Sequence, residues 1–207
     1  MKRTTTRRRR EIAHFVEDNR RLFPFVGLFL LGVLGGVVLY VTAADRLSAG
    51  LDSLLRVSGI TDGWQEGLQA LANTCFSGFV LIGVLFLLGV WPCGVPFVML
   101  VPLFYGLSVG LTEAYYYAQG GSGLPAVAAV VLPTSLCNAA LLIAAGVESM
   151  RMSVRVARCM LPSDRPSEDL HAPFRLYCLR FLLFAVGVAA IGILHVLLRT
   201  VFAPLLA

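Results

Sequence analysis

The chain has 207 residues, 57% of them apolar and only 14% charged, and its 17 Lys+Arg against 12 Asp+Glu leave a formal +5. Soluble domains run at roughly 45–50% apolar and about 25% charged, and disordered chains have the opposite bias. With a mean hydropathy of +0.80, these figures exclude a soluble enzyme, a disulfide-rich secreted module and a low-complexity fibre, and they predict an all-α polytopic integral membrane protein.

Residues 1–21 read as a basic helix: Lys2, Arg3, the run Arg7, Arg8, Arg9 and Arg10, then Arg20 and Arg21, with Ile12, Phe15 and Val16 as an apolar stripe. A hydrocarbon core of about 30 Å needs ~20 apolar residues per helix. Residues 22–44 supply the first such span without a charge. It is longer than the ~7–15 residues of a secretory signal core, so it predicts an uncleaved anchor. Arg20-Arg21-Leu22-Phe23 also looks like a twin-arginine export signal, a reading that four further spans argue against.

Residues 45–74 form an external amphipathic segment. Leu47, Leu51, Leu54 and Leu55 recur at helical spacing, as do Trp64, Leu68 and Leu71, with Gly59 and Gly63 between them. Asp52 and Arg56 make an i,i+4 pair on the polar side. Two short helices are expected here, lying on the outer leaflet or capping the bundle.

The second span, 75–91, is short. The uncharged turn from Val90 to Pro96, with two prolines and Gly94, forbids a continuous helix. Spans three (95–118) and four (124–147) follow, joined by the tight turn Gln119 to Gly123. Pro102 and Pro133 lie within them and predict kinks. Residues 148–175 form a basic loop in which Arg151, Arg155 and Arg158 share a helix face, with Glu148 expected to pair with the Arg151 and Arg155 side. The fifth span, 176–198, has Arg180 in its first turns and His195 near its end. The five helices make residues 1–207 a single membrane domain.

Charge predicts the orientation, because Lys and Arg collect in cytoplasmic segments. An N-terminus inside and a C-terminus outside place 14 cations inside and only Arg46, Arg56 and Arg199 outside. Arg7, Arg8, Arg9, Arg10, Arg151, Arg155 and Arg158 then face anionic lipid, each contributing about 1 kcal/mol near the surface. The cationic excess reports orientation, and no nucleic-acid partner is expected.

Candidate chemistry is sparse. Gly106-Leu107-Ser108-Val109-Gly110 matches the G-x-S-x-G pattern of serine hydrolases, but that motif needs a strand-to-helix elbow. Within a span, Gly106 and Gly110 read better as a small-xxx-small packing face. Glu113 is the one acid well inside an apolar span, which marks either a functional group or a structural hydrogen bond, and Asn138 is its expected partner. The histidines and cysteines are scattered, with no metal spacing and no C-x-x-C. No catalytic set, cofactor or metal is expected, so the chain does not read as an enzyme.

Three ordered blocks resemble the stage II sporulation protein M family. The first is Glu17-Asp18-Asn19-Arg20-Arg21-Leu22-Phe23 running into Leu31-Gly32-Val33-Leu34-Gly35-Gly36. The second is Gly94-Val95-Pro96 followed by Phe104-Tyr105-Gly106-Leu107-Ser108-Val109-Gly110-Leu111-Thr112. The third is Gly120-Gly121 leading to Leu132-Pro133. Gly94, Pro96, Gly106, Gly110 and Pro133 thus carry the motif. Tyr105 stands where family members often have Lys, and Asn138 where wider relatives carry an acid.

The resemblance implies a non-enzymatic scaffold in the septal and engulfing membrane of a Gram-positive, endospore-forming bacterium. It would anchor two peptidoglycan-degrading partners, stage II sporulation proteins D and P, and a single copy or a homo-oligomer would both fit. The alternative is a small transporter or channel component using Glu113 within a kinked bundle.

Overall fold

The computed structural model describes residues 22–56, 64–118, 130–160 and 171–206, all but one short turn of them helical or at a helix start. Five helices follow in order: α1 (Leu22–Arg56), α2 (Trp64–Val90), α3 (Val95–Ala118), α4 (Leu132–Met160) and α5 (His171–Leu206). Four segments are long and apolar enough to cross a membrane: Leu22–Ala43, Val95–Ala118, Leu132–Met160 and His171–Leu198. The apolar part of α2, Cys75–Val90, is shorter, about 24 Å at a helical rise.

Several boundaries differ from the sequence reading. Of the two expected helices of 45–74, the first is set off from the span by a break and runs to Arg56, whereas the second is continuous with the apolar part of α2, which begins at Trp64. The first span ends at a break, where Ala43 has non-helical backbone angles (φ −124°, ψ 21°). No proline or glycine causes it. The Thr42 hydroxyl turns back onto the carbonyl oxygens of Val38 (2.9 Å) and Leu39 (3.3 Å), a back-bonding that bends helices.

α3 runs unbroken through buried Pro102. Pro133 falls in the first α-helical turn of α4, directly after Val130 and Val131, which are π-helical; its missing N–H is accommodated at a π-to-α junction, an irregularity at which helices bend. Residues 124–129 of the expected fourth span lie outside the described residues, and α4 continues past 147 to Met160. α5 starts at His171, earlier than expected.

α1 and α3 make the most extensive pair, and α4 is the helix that touches all four others. The α1–α3 crossing rests on four glycines. A Cβ on Gly32 would overlap the Leu103 carbonyl oxygen, and one on Gly36 the Leu107 carbonyl oxygen. In return, Gly106 faces the Phe29 carbonyl oxygen and Gly110 that of Val33. Two i,i+4 glycine pairs therefore interlock backbone to backbone. Phe29 stacks on Tyr105 on one side of the crossing (6.2 Å between rings), and Tyr40 meets Tyr115 edge-on further along (6.4 Å).

The pair docks on α4 through Phe25, which is fully buried and whose ring covers Gly146; a Cβ there would stand 2.8 Å from the ring. Around this contact lie Leu85, Val98, Leu142, Ala145, Tyr177 and Phe181. The outward faces are apolar as well: Leu30, Leu31, Leu34 and Val41 of α1 and Leu182, Leu183 and Val186 of α5 are each more than half exposed. In water such a surface would aggregate; facing lipid, it needs no cover.

The crossing makes a directional prediction. Gly106→Leu should lower unfolding free energy in detergent by roughly 2–3 kcal/mol, since a side chain there must push two backbones apart. Gly27→Leu and Gly35→Leu, where an added Cβ would meet nothing within 4 Å, should be neutral or slightly stabilising, because leucine has the higher helix propensity. Chemical denaturation of the three variants followed by circular dichroism distinguishes them; equal loss in all three would refute the crossing.

Candidate functional site

The richest polar chemistry lies at one end of the bundle, where α2 turns into α3 beneath α4 and α5. The turn Trp91-Pro92-Cys93-Gly94 closes when the Gly94 amide donates to the Trp91 carbonyl oxygen at 3.0 Å. The Gly94 carbonyl then accepts from the Val98 amide at 2.9 Å and starts α3. A Cβ on Gly94 would overlap the Leu88 carbonyl oxygen, so glycine is required for the chain to fold back this tightly. Pro96 occupies the first turn of α3, where its absent N–H has no helical partner to lose.

Two serines one turn apart on α4 secure this corner. Ser153 donates to the Trp91 carbonyl oxygen at 2.7 Å. Ser149, fully buried, reaches the Leu85 carbonyl oxygen (2.8 Å) and shares its proton with the Ala145 carbonyl of its own helix (3.0 Å). From α5, the Tyr177 hydroxyl donates to the Phe86 carbonyl oxygen at 3.0 Å. Gly89 makes the approach feasible, since a Cβ there would overlap the Tyr177 hydroxyl and stand 3.0 Å from the Ser149 Cα. Behind these bonds Phe86 stacks on Tyr177, and Phe181 packs tilted against Tyr177 and edge-on to Phe86. The end of α2 is thus held by hydroxyls from two other helices, which use the second lone pair of carbonyl oxygens that water cannot reach.

Beside this corner, α4 and α5 open a cleft of about 370 Å³ lined by Arg151, Arg155, Arg158 and Arg180, with Glu148 among them. Glu148, only 17% exposed, accepts from Arg151 Nη1 at 2.7 Å through Oε1 and from Arg180 Nη1 at 2.5 Å through Oε2. Its second partner is therefore Arg180 and not the expected Arg155. The i,i+3 bond lies within α4, whereas the bond to Arg180 fastens α4 to α5.

The remaining sequence candidates fall elsewhere. Gly106 and Gly110 form half of the α1–α3 crossing; Ser108 between them is on the exposed side of α3. Glu113 is half-buried in α3 and has no hydrogen-bond or ion-pair partner among the described residues. Asn138 is not beside it. It lies within hydrogen-bonding range of the Tyr105 hydroxyl, which donates to the Ser135 carbonyl oxygen at 3.4 Å. Arg7, Arg8, Arg9 and Arg10 lie outside the described residues. Among the described residues, no three His, Cys, Asp or Glu side chains come together to hold a metal ion.

Sequence reasoning missed Gly32 and Gly36 as the partners of Gly106 and Gly110, the anchoring role of Ser149, Ser153 and Tyr177, and Arg180 as a wall of the cleft. Signals were present: two serines at i,i+4 spacing on one helix, and Arg180 as the only cation between residues 176 and 198.

Among known proteins, residues 25–198 match the family model described as Stage II sporulation protein M. No curated protein and no solved structure matches.

Loss of one interhelical hydroxyl should be measurable. Ser153→Ala, Ser149→Ala and Tyr177→Phe should each cost about 1 kcal/mol of stability in detergent. Ser135→Ala, whose hydroxyl bonds only to the Leu132 carbonyl of its own helix, should cost little. A double-mutant cycle between Ser149→Ala and Tyr177→Phe should show a coupling of at least ~0.5 kcal/mol, because both donors act on adjacent carbonyls of α2.

Proposed function

The chain belongs to the stage II sporulation protein M family, and from that premise we propose that it is a non-enzymatic scaffold of the septal and engulfing membrane in an endospore-forming bacterium. In this reading it anchors the peptidoglycan-degrading stage II sporulation proteins D and P, so that wall cutting stays at the membrane that is moving. The observation that carries the reading is the family match over most of a chain built as a multi-pass bundle of apolar helices.

The polar chemistry supports a holding role. The hydroxyls of Ser149, Ser153 and Tyr177 all close on backbone carbonyls, and Glu148 is engaged by two arginines. These groups fasten helices to one another. Cys75–Val90 serves as the fifth span, its short length matched by local thinning of the bilayer or by flanking side chains. The charge asymmetry argues for the α2–α3 turn and the arginine cleft in the cytoplasm and residues 45–74 outside. The break at Ala43 then redirects α1 where it leaves the membrane, presenting the stretch to Arg56 as the surface for extracytoplasmic partners.

Deletion of the gene should arrest engulfment as seen with a membrane dye, and the full chain carrying a photo-crosslinker within residues 45–74 should capture proteins D and P. Normal engulfment in the deletion strain would sink the proposal.

Orientation has its own test. In a background with the five cysteines replaced by alanine, Ser58→Cys should react with a membrane-impermeant maleimide on intact protoplasts. Restored Cys159 should react only after lysis. The reverse pattern would invert the topology.

A further inference from the structure

The cleft between α4 and α5 has a composition that its structural role does not require. One acid, Glu148, stands among four arginines. Glu148 is occupied by Arg151 and Arg180, whereas Arg155 and Arg158 have no acidic partner among the described residues and are exposed. A formal surplus of three positive charges therefore lines one concave site. Positions 151, 155 and 158 fall on a single face of α4, so their guanidinium groups converge. Such groups bind phosphate oxygens through paired N–H donors, with an orientation that a lysine cannot match.

The cleft's other wall is apolar, and this identifies the class of ligand. Leu176 lines the cleft and is half exposed. It continues outward into Leu179, Leu183 and Val186, which share its face of α5 and are 56%, 68% and 61% exposed. A phosphate held by Arg155 and Arg158 would thus have a hydrocarbon-facing row of side chains leading away from it along the helix. A soluble anion would use the arginines and leave the row unused; a phospholipid uses both.

We infer that this cleft is a binding site for the headgroup of an anionic phospholipid, with the phosphodiester on Arg155 and Arg158 and the acyl chains along Leu176, Leu179 and Leu183. Glu148 is a positioning residue. It fixes the guanidinium groups of Arg151 and Arg180 and repels phosphate from its own end of the cleft, which leaves the exposed pair to meet the lipid. The surplus charge favours phosphatidylglycerol or cardiolipin over phosphatidylcholine, whose choline would sit against cations. The inference goes beyond the scaffold reading and needs no protein partner.

The full chain, purified from nanodiscs of phosphatidylcholine doped with phosphatidylglycerol or cardiolipin, is assayed by native mass spectrometry for retained lipid. Wild type should retain one anionic lipid, and Arg155→Gln with Arg158→Gln should reduce retention about tenfold. Both side chains are exposed, so the variant should keep its thermal midpoint, and Arg155→Lys with Arg158→Lys should recover only part of the loss. Arg175→Gln, which removes an exposed cation of α5 that does not line the cleft, should leave retention unchanged. Equal loss in the Arg175 variant would mean general surface attraction. Equal retention of phosphatidylcholine would make the site merely apolar. Displacement of the lipid by millimolar inorganic phosphate would assign the cleft to a soluble anion. Each of these three outcomes, or unchanged retention without Arg155 and Arg158, overturns the inference.

Discussion

Direct contact between two helix backbones sets the geometry of this bundle. At the crossing of α1 and α3, Gly32 and Gly36 face carbonyl oxygens of α3, and Gly106 and Gly110 face carbonyl oxygens of α1. Lipid tails are as apolar as leucine, so burying a leucine between membrane helices gains little, and association must come from close packing and polar contacts. Removing four Cβ atoms brings the backbones within reach of dispersion and Cα–H···O attraction along two full turns. Once α1 is registered on α3, Phe25 is carried onto Gly146, and the pair is joined to α4. The large aromatic fits only because the residue beneath it has no side chain.

α4 reads as the least apolar of the membrane-length helices and is also the most enclosed. The two properties have one cause. A helix surrounded by protein needs no lipid-facing leucines, and its small residues, Ala139, Ala145 and Gly146, let four neighbours approach. Its serines could not face hydrocarbon without cost, but in the interior they find carbonyls at the end of α2 and in the α2–α3 turn. Irregular backbone at such a turn is tolerated because protein satisfies it.

The number and approximate position of the helices were legible because hydropathy is a local property, and a run of twenty apolar residues announces itself without reference to the rest of the chain. Helix continuity was less legible. Leucine spacing, with Gly59 and Gly63 between the two runs, suggested two separate external helices; the first is set off by the break at Ala43, but the second passes into the apolar part of α2 without interruption. Pro133 marked an irregularity correctly, at the junction between π-helical Val130 and Val131 and the α-helical start at Leu132. The packing face at Gly106 and Gly110 was visible, whereas its partner at Gly32 and Gly36, more than seventy residues earlier, depends on which helices meet. Glu148 was assigned to the arginine face of its own helix, with Arg151 at i+3. The bond to Arg180 is a tertiary contact, and no local pattern encodes it.

Tyr105 of α3 and Asn138 of α4 lie within hydrogen-bonding range of one another across the α3–α4 contact. A buried ion pair must overcome the desolvation of two charges, and losing one partner alone would leave an uncompensated ion. A pair of neutral groups keeps a polar link between the helices without that cost. With no charge at the centre of the α3–α4 contact, Glu113 stands apart toward one end of α3, about 8 Å from its last residue at a helical rise. Glu148 and its arginines gather at the other end of the bundle, beside the turn that precedes α3. A core that is polar without being charged can stay rigid at any physiological pH, which suits a protein whose proposed task is to hold partners in place.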